Sequence, residues 1–136
     1  MGVSVTDLAG RTDVTMLTAV LSLGGACVSN DSGAMHLAAA AGVPVAAVFG
    51  PTRESETAPL ARRGVPAEVL VNPVWCRPCM LRECPIDHRC MRGLEPRRVA
   101  EAVARMLGRS NASNASNASN DPNDSNGSND SSGAIR

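Results

Sequence analysis

The 136-residue sequence predicts an α/β fold with parallel strands, followed by a disordered low-complexity tail. Three observations carry this. Ala26–Thr52 reads as strand, sharp turn, helix, turn, strand. Within it, Val43–Phe49 is apolar almost throughout, as in a parallel strand covered on both faces. From Ser110 to Arg136 the chain is mostly Asn, Asp, Ser and Gly, with Ile135 the one large apolar residue, so burial cannot offset the entropy of ordering it.

The elements follow in order. Thr12 or Asp13 can cap a first helix whose apolar positions, Met16, Leu17, Val20, Leu21 and Leu23, have helical spacing. No glutamate completes a capping box from Asp13, because Met16 stands at that place. Gly24 and Gly25 end this helix. Ala26–Ser29 is a strand that runs into the polar turn Ser29-Asn30-Asp31-Ser32-Gly33, and an Ala-rich helix, Met35–Ala41, follows. Gly42 suits its C-terminal stop, with Pro44 just beyond. Val43–Phe49 is the second strand and Ala67–Val71 the third. Between them Arg53–Pro59 reads as a polar loop at the mouth of the site described next. A final amphipathic helix starts near Pro96, carries Val99, Val103, Met106 and Leu107 on one stripe, and is expected to stop at Gly108.

Chemistry concentrates at the carboxyl ends of the first two strands, where open parallel sheets bind ligands. Asp31, Ser32 and Gly33 stand at one end, Gly50, Pro51 and Thr52 at the other. A helix N-terminus offers unpaired N–H groups and a positive dipole end to a phosphate. Gly33 lets a phosphate approach the backbone, Ser32 adds a hydroxyl, and Asp31 can accept hydrogen bonds from sugar hydroxyls. His36 lies one turn deeper on the same helix. Spacing alone equally allows Asp31 and Ser32 to be simple helix caps and His36 a packed side chain.

A second constellation is Cys76-x2-Cys79-x4-Cys84-x5-Cys90, with His88 inside it. Four thiols at this density suit a zinc or iron–sulfur site. Metal-free thiols and redox chemistry remain open on the same spacing. Cys27 reads as a small buried apolar residue.

Composition excludes other classes. All 13 basic residues are arginine, the net charge is zero, and only Phe49 and Trp75 are aromatic, so nucleic acid is not an expected partner. The N-terminus lacks the pattern of a signal peptide, and no apolar run approaches the roughly 20 residues of a membrane helix, so a soluble or at most peripheral protein is expected.

The run Ser29-Asn30-Asp31-Ser32-Gly33-Ala34-Met35-His36 followed by Phe49-Gly50-Pro51-Thr52 resembles the donor-binding signature of glycosyltransferase family 9, the ADP-heptose:lipopolysaccharide heptosyltransferases. Leu8-Ala9-Gly10-Arg11-Thr12 resembles the same family's L-x-G-x-T segment, which implies that Thr12 joins the donor site. The resemblance implies a GT-B fold of two Rossmann-like domains. Residues 1–109 would then be a truncated C-terminal donor-binding domain, including the cysteine segment 76–90, with 110–136 the tail. The implied donor is ADP-heptose and the acceptor the lipopolysaccharide inner core, with no cofactor needed for transfer. The implied location is the cytoplasm, including the inner face of the inner membrane. About thirty residues precede the Asp31 turn, too few for a second Rossmann domain. The chain is therefore expected to be a fragment, inactive alone. The rival expectation is a four-cysteine metal-binding interaction module with no enzymatic activity.

Overall fold

The computed structural model describes residues 3–117, with side chains described to residue 108. The elements are α1 (Val14–Ser22), β1 (Cys27–Asn30), α2 (Gly33–Ala41), β2 (Val45–Phe49), α3 (Glu54–Thr57), β3 (Ala67–Val71), α4 (Arg89–Arg92) and α5 (Pro96–Asn117). The three strands form one parallel sheet in the order β1-β2-β3. This is a partial Rossmann-like α/β unit, and each strand expected from the sequence is present to within two residues at either end.

Central β2 sets the layers. All five of its residues are buried, and strand alternation sends them to opposite faces. Val45, Ala47 and Phe49 join Cys27, Met35, Ala38, Ala39 and Val43 in one cluster, with Leu21 of α1 packed against it. Ala46 and Val48 join Leu70, Ala102 and Met106 on the other face, beneath α5. The sheet is thus covered on both sides, as the apolar run of β2 predicts.

Local chemistry fixes the helix ends. Asp13 caps α1 by accepting the Met16 N–H at 2.7 Å, so the cap forms without a capping box. Gly42 stops α2 in the left-handed region at φ 81°. Its N–H donates to the Ala39 carbonyl and that of Val43 to the Ala38 carbonyl, a Schellman closure that turns the chain directly into β2.

The structure differs from the sequence reading in three places. Arg53–Pro59 is not all loop, since it holds the one-turn helix α3, and the cysteine segment ends in the short α4. Helix α5 does not stop at Gly108 but runs to Asn117, into the stretch expected to be disordered. Gly108 is not among the glycines with positive φ, and a helical glycine costs only about 1 kcal/mol relative to Ala. Residues 118–136, the rest of the expected tail, lie outside the described residues.

Phe49 is fully buried and the one large aromatic of the core. Phe49→Ala should destabilise the fold by about 3–5 kcal/mol, read as a lower urea midpoint with unchanged slope.

Candidate functional site

Parallel pairing of Asn30 with Val48 brings the ends of β1 and β2 side by side. The Asp31 N–H donates to the Val48 carbonyl at 3.2 Å, which seats the Asp31-Ser32-Gly33 turn beside Gly50-Pro51-Thr52. Asp31, Ser32 and Gly33 therefore come together with Gly50, Pro51 and Thr52 at the carboxyl edge of the sheet.

The simple-cap reading does not describe this turn. Ser32 occupies the N-cap position of α2, yet its side chain makes no capping hydrogen bond. Its hydroxyl instead lies 3.1 Å from that of Ser29. The first turn of α2 keeps its donors free of side-chain caps, as an anion site requires. A Cβ at Gly33 would meet nothing within 4 Å, so the approach to this backbone is open. His36 is exposed rather than packed. It lines a groove of about 450 Å³ with Ala40, Ser55, Thr57 and Leu60.

Asp31 is oriented by a residue that the sequence reading missed. The Thr57 hydroxyl, on α3, lies 3.1 Å from Asp31 Oδ2 and 3.3 Å from the Arg53 carbonyl, and the carboxylate is the nearer and charged acceptor. That leaves carboxylate lone pairs for further donors. Thr12 is half-buried just ahead of the α1 cap. Among the described residues, no side-chain hydrogen bond ties it to the Asp31 turn.

The Gly50–Thr52 loop is held from behind by the cysteine segment. Arg77 Nε donates to the Gly50 carbonyl at 3.0 Å and Arg77 Nη2 to the Thr52 carbonyl at 3.2 Å. The Pro51 carbonyl accepts the N–H groups of Cys79 and Met80 at 3.1 and 3.0 Å. Arg77 Nη2 also pairs with Glu54 at 2.9 Å. Gly50 is pressed so closely to α4 that a Cβ there would meet Met91 Sδ at 2.6 Å. The Thr52 hydroxyl oxygen is buried without a hydrogen-bond partner, the one such side-chain atom among the described residues. No periodicity or motif announces Arg77, because its partners lie more than twenty residues away in sequence.

All five cysteines are free thiols. Cys76, Cys79, Cys84 and Cys90, with His88, line one small enclosed cavity of about 70 Å³. The donor chemistry suits zinc. Among the described residues no three His, Cys, Asp or Glu side chains are drawn together as a metal-ligand set in this structure. Backbone N–H groups of Ile86 and His88 lower the Cys84 thiol, the His88 N–H reaching Sγ at 3.3 Å. Burial pushes the Cys27 thiol up, in keeping with its place in the core.

A sequence model of Glycosyltransferase family 9 (heptosyltransferase) matches residues 1–89. The chain is 33% identical over 110 residues to lipooligosaccharide heptosyltransferase 2 of Campylobacter jejuni, covering 80% of this chain and 34% of that protein. It is 32% identical over 112 residues to lipopolysaccharide heptosyltransferase 1 of Pseudomonas aeruginosa, covering 71% and 31%. It is 39% identical over 57 residues to lipopolysaccharide heptosyltransferase 2 of Escherichia coli, covering 42% and 16%. No solved structure matches significantly. The chain belongs to glycosyltransferase family 9, and it spans about a third of the length of the relatives it matches most extensively. Among the described residues no helix is long and apolar enough to cross a membrane.

The Arg77 hydrogen bond and, next, a backbone N–H hold the Glu54 carboxyl below the usual carboxylate range. A folded-state value below the unfolded one means that ionised Glu54 stabilises the loop above the ordinary glutamate range. That stabilisation is lost as pH falls through the lower folded value. Thermal melts from about pH 6 down to pH 3 should show a declining limb that Glu54→Gln flattens.

Proposed function

We propose that this chain is the donor-binding part of a glycosyltransferase that takes ADP-heptose and serves heptosyl transfer to the lipopolysaccharide inner core. The observation that carries the reading is the uncapped N-terminus of α2 beside the Asp31 carboxylate, at the carboxyl edge of a parallel sheet. In this reading the diphosphate meets the N–H groups at Ser32 and Gly33. Asp31, held by Thr57, accepts hydrogen bonds from sugar hydroxyls. His36 and the Gly50-Pro51-Thr52 loop flank the bound donor, and Thr12 takes the role that the L-x-G-x-T likeness gives it.

The names of the relatives, heptosyltransferases of lipopolysaccharide or lipooligosaccharide, support the substrate class. No metal or cofactor is invoked for transfer. The acceptor and the catalytic base belong, in this reading, to a second domain, so the chain alone binds donor without transferring it. Its place of action is the cytoplasm, including the inner face of the inner membrane, where a soluble donor meets a lipid-linked acceptor.

Titration calorimetry with ADP-heptose and with free ADP tests the assignment. Asp31→Ala should weaken ADP-heptose binding about tenfold and leave ADP nearly unchanged, the loss expected when a charged acceptor is removed. Gly33→Ala should weaken both ligands without lowering the melting temperature, because its Cβ meets no protein atom. Equal losses for both ligands in Asp31→Ala would remove the carboxylate from the sugar. Robust heptosyl transfer by the chain alone would overturn the division of labour.

The cysteine segment supports a second reading, a structural zinc or iron–sulfur site held by Cys76, Cys79, Cys84 and Cys90. What favours it is the shared cavity of the four thiols and His88. Native mass spectrometry of protein purified under reducing conditions decides. One metal ion or cluster per chain, lost when any of the four cysteines is substituted, supports the site. Metal-free folded protein with four freely alkylated thiols ends it.

A further inference from the structure

We infer that Arg77 is the positioning residue of the donor site, acting through the Gly50–Thr52 loop and through Glu54 and Thr57 on Asp31. The inference rests on the donor-site reading and adds to it a residue outside the signature.

The Arg77 side chain is 8% exposed and packs against the backbone of the loop. All three nitrogens of its fork are engaged. Nε serves the Gly50 carbonyl, Nη2 serves the Thr52 carbonyl and Glu54 Oε2, and Nη1 lies 3.4 Å from Glu54 Oε1. With Cys79 and Met80 on the Pro51 carbonyl, residues 77–80 hold all three carbonyls of the loop.

The second path runs through α3. Glu54 is its first residue and Thr57 its last. Pairing with Arg77 fixes where the helix starts, and a single turn carries that placement to Thr57. The Thr57 hydroxyl then sets the orientation of the Asp31 carboxylate. One buried guanidinium thereby ties together both halves of the site, which sit on different strands.

The geometry demands arginine. A lysine ammonium is a single point donor and cannot serve two carbonyls and a carboxylate from three nitrogen positions. Arg77→Lys keeps the charge opposite Glu54 and leaves at least one buried carbonyl without its donor. The expected result is a loosened loop on a folded chain.

The test uses the full chain, with Arg77→Lys and, should that variant fold poorly, Thr57→Val, which cuts only the link to Asp31. Amide exchange is followed over peptides spanning residues 50–57 without ligand, and calorimetry is run with ADP-heptose and ADP. Faster exchange confined to 50–57 in Arg77→Lys, with ADP-heptose affinity down about tenfold and ADP affected less, supports the inference. A smaller loss for ADP-heptose in Thr57→Val, again with ADP spared, supports the path through α3. Unchanged exchange in 50–57 overturns it, as does an affinity loss equal for both ligands that tracks a fall in melting temperature. If the unaltered chain binds neither ligand, the donor-site reading falls, and the inference falls with it as a statement about the site. The ligand-free exchange result still shows separately whether Arg77 holds the loop.

Discussion

Everything in this chain depends on burying β2 from both sides. Five residues, Val45–Phe49, supply the middle of both apolar clusters. Ala46 and Ala47 are small enough for helices to lie close on either face, and Phe49 fills one face at the strand's end. That burial fixes the register with β1 and β3, since a one-residue slip would exchange the two faces. With the register fixed, the end of β2 falls beside the Asp31 turn. Site geometry is thus a by-product of core packing, and α1, α2 and α5 are placed by the same requirement.

The parts legible in the sequence are those whose cause is local. The apolar run of β2, the left-handed stop at Gly42 and the stripe of α5 each leave a short-range mark. The Asp31 turn was also visible as a motif, including Asp31, Ser32, Gly33 and the Gly50–Thr52 loop. What the motif could not show is that Ser32 turns to Ser29 and leaves the α2 donors uncapped. Arg77, Glu54 and Thr57 were illegible for a related reason. Their bonds join residues 23 to 27 positions apart, as in the pairs of Arg77 with Glu54 and Gly50 and of Thr57 with Asp31, and such links have no period to detect. The stop at Gly108 misled because a glycine permits a left-handed residue without requiring one.

The cysteine segment is best understood by what it lacks. Between Leu70 and Ala102, Cys90 is the one buried apolar residue among those of the core. Polar links supply order instead. Asn72 Nδ2 donates to the Arg89 carbonyl at 2.8 Å, tying the end of β3 to α4. Asp87 pairs with Arg89 at 2.9 Å, and Arg77 joins the segment to the loop. Most of these contacts are partly exposed and individually modest. Arg77 stands apart because it is buried and serves three partners, so its loss would leave several acceptors unsatisfied at once.

Trp75 lies in this same segment, 79% exposed, with Arg89 5.9 Å from its ring centre. The sequence contains no tyrosine and no second tryptophan. Its intrinsic fluorescence therefore comes from one exposed indole next to Cys76 in the chain, far in character from the aliphatic core. Emission should be that of a solvated ring already in the folded state, and largely blind to the melting of the sheet. The same isolation makes it a built-in optical gauge of the segment that braces the Gly50–Thr52 loop.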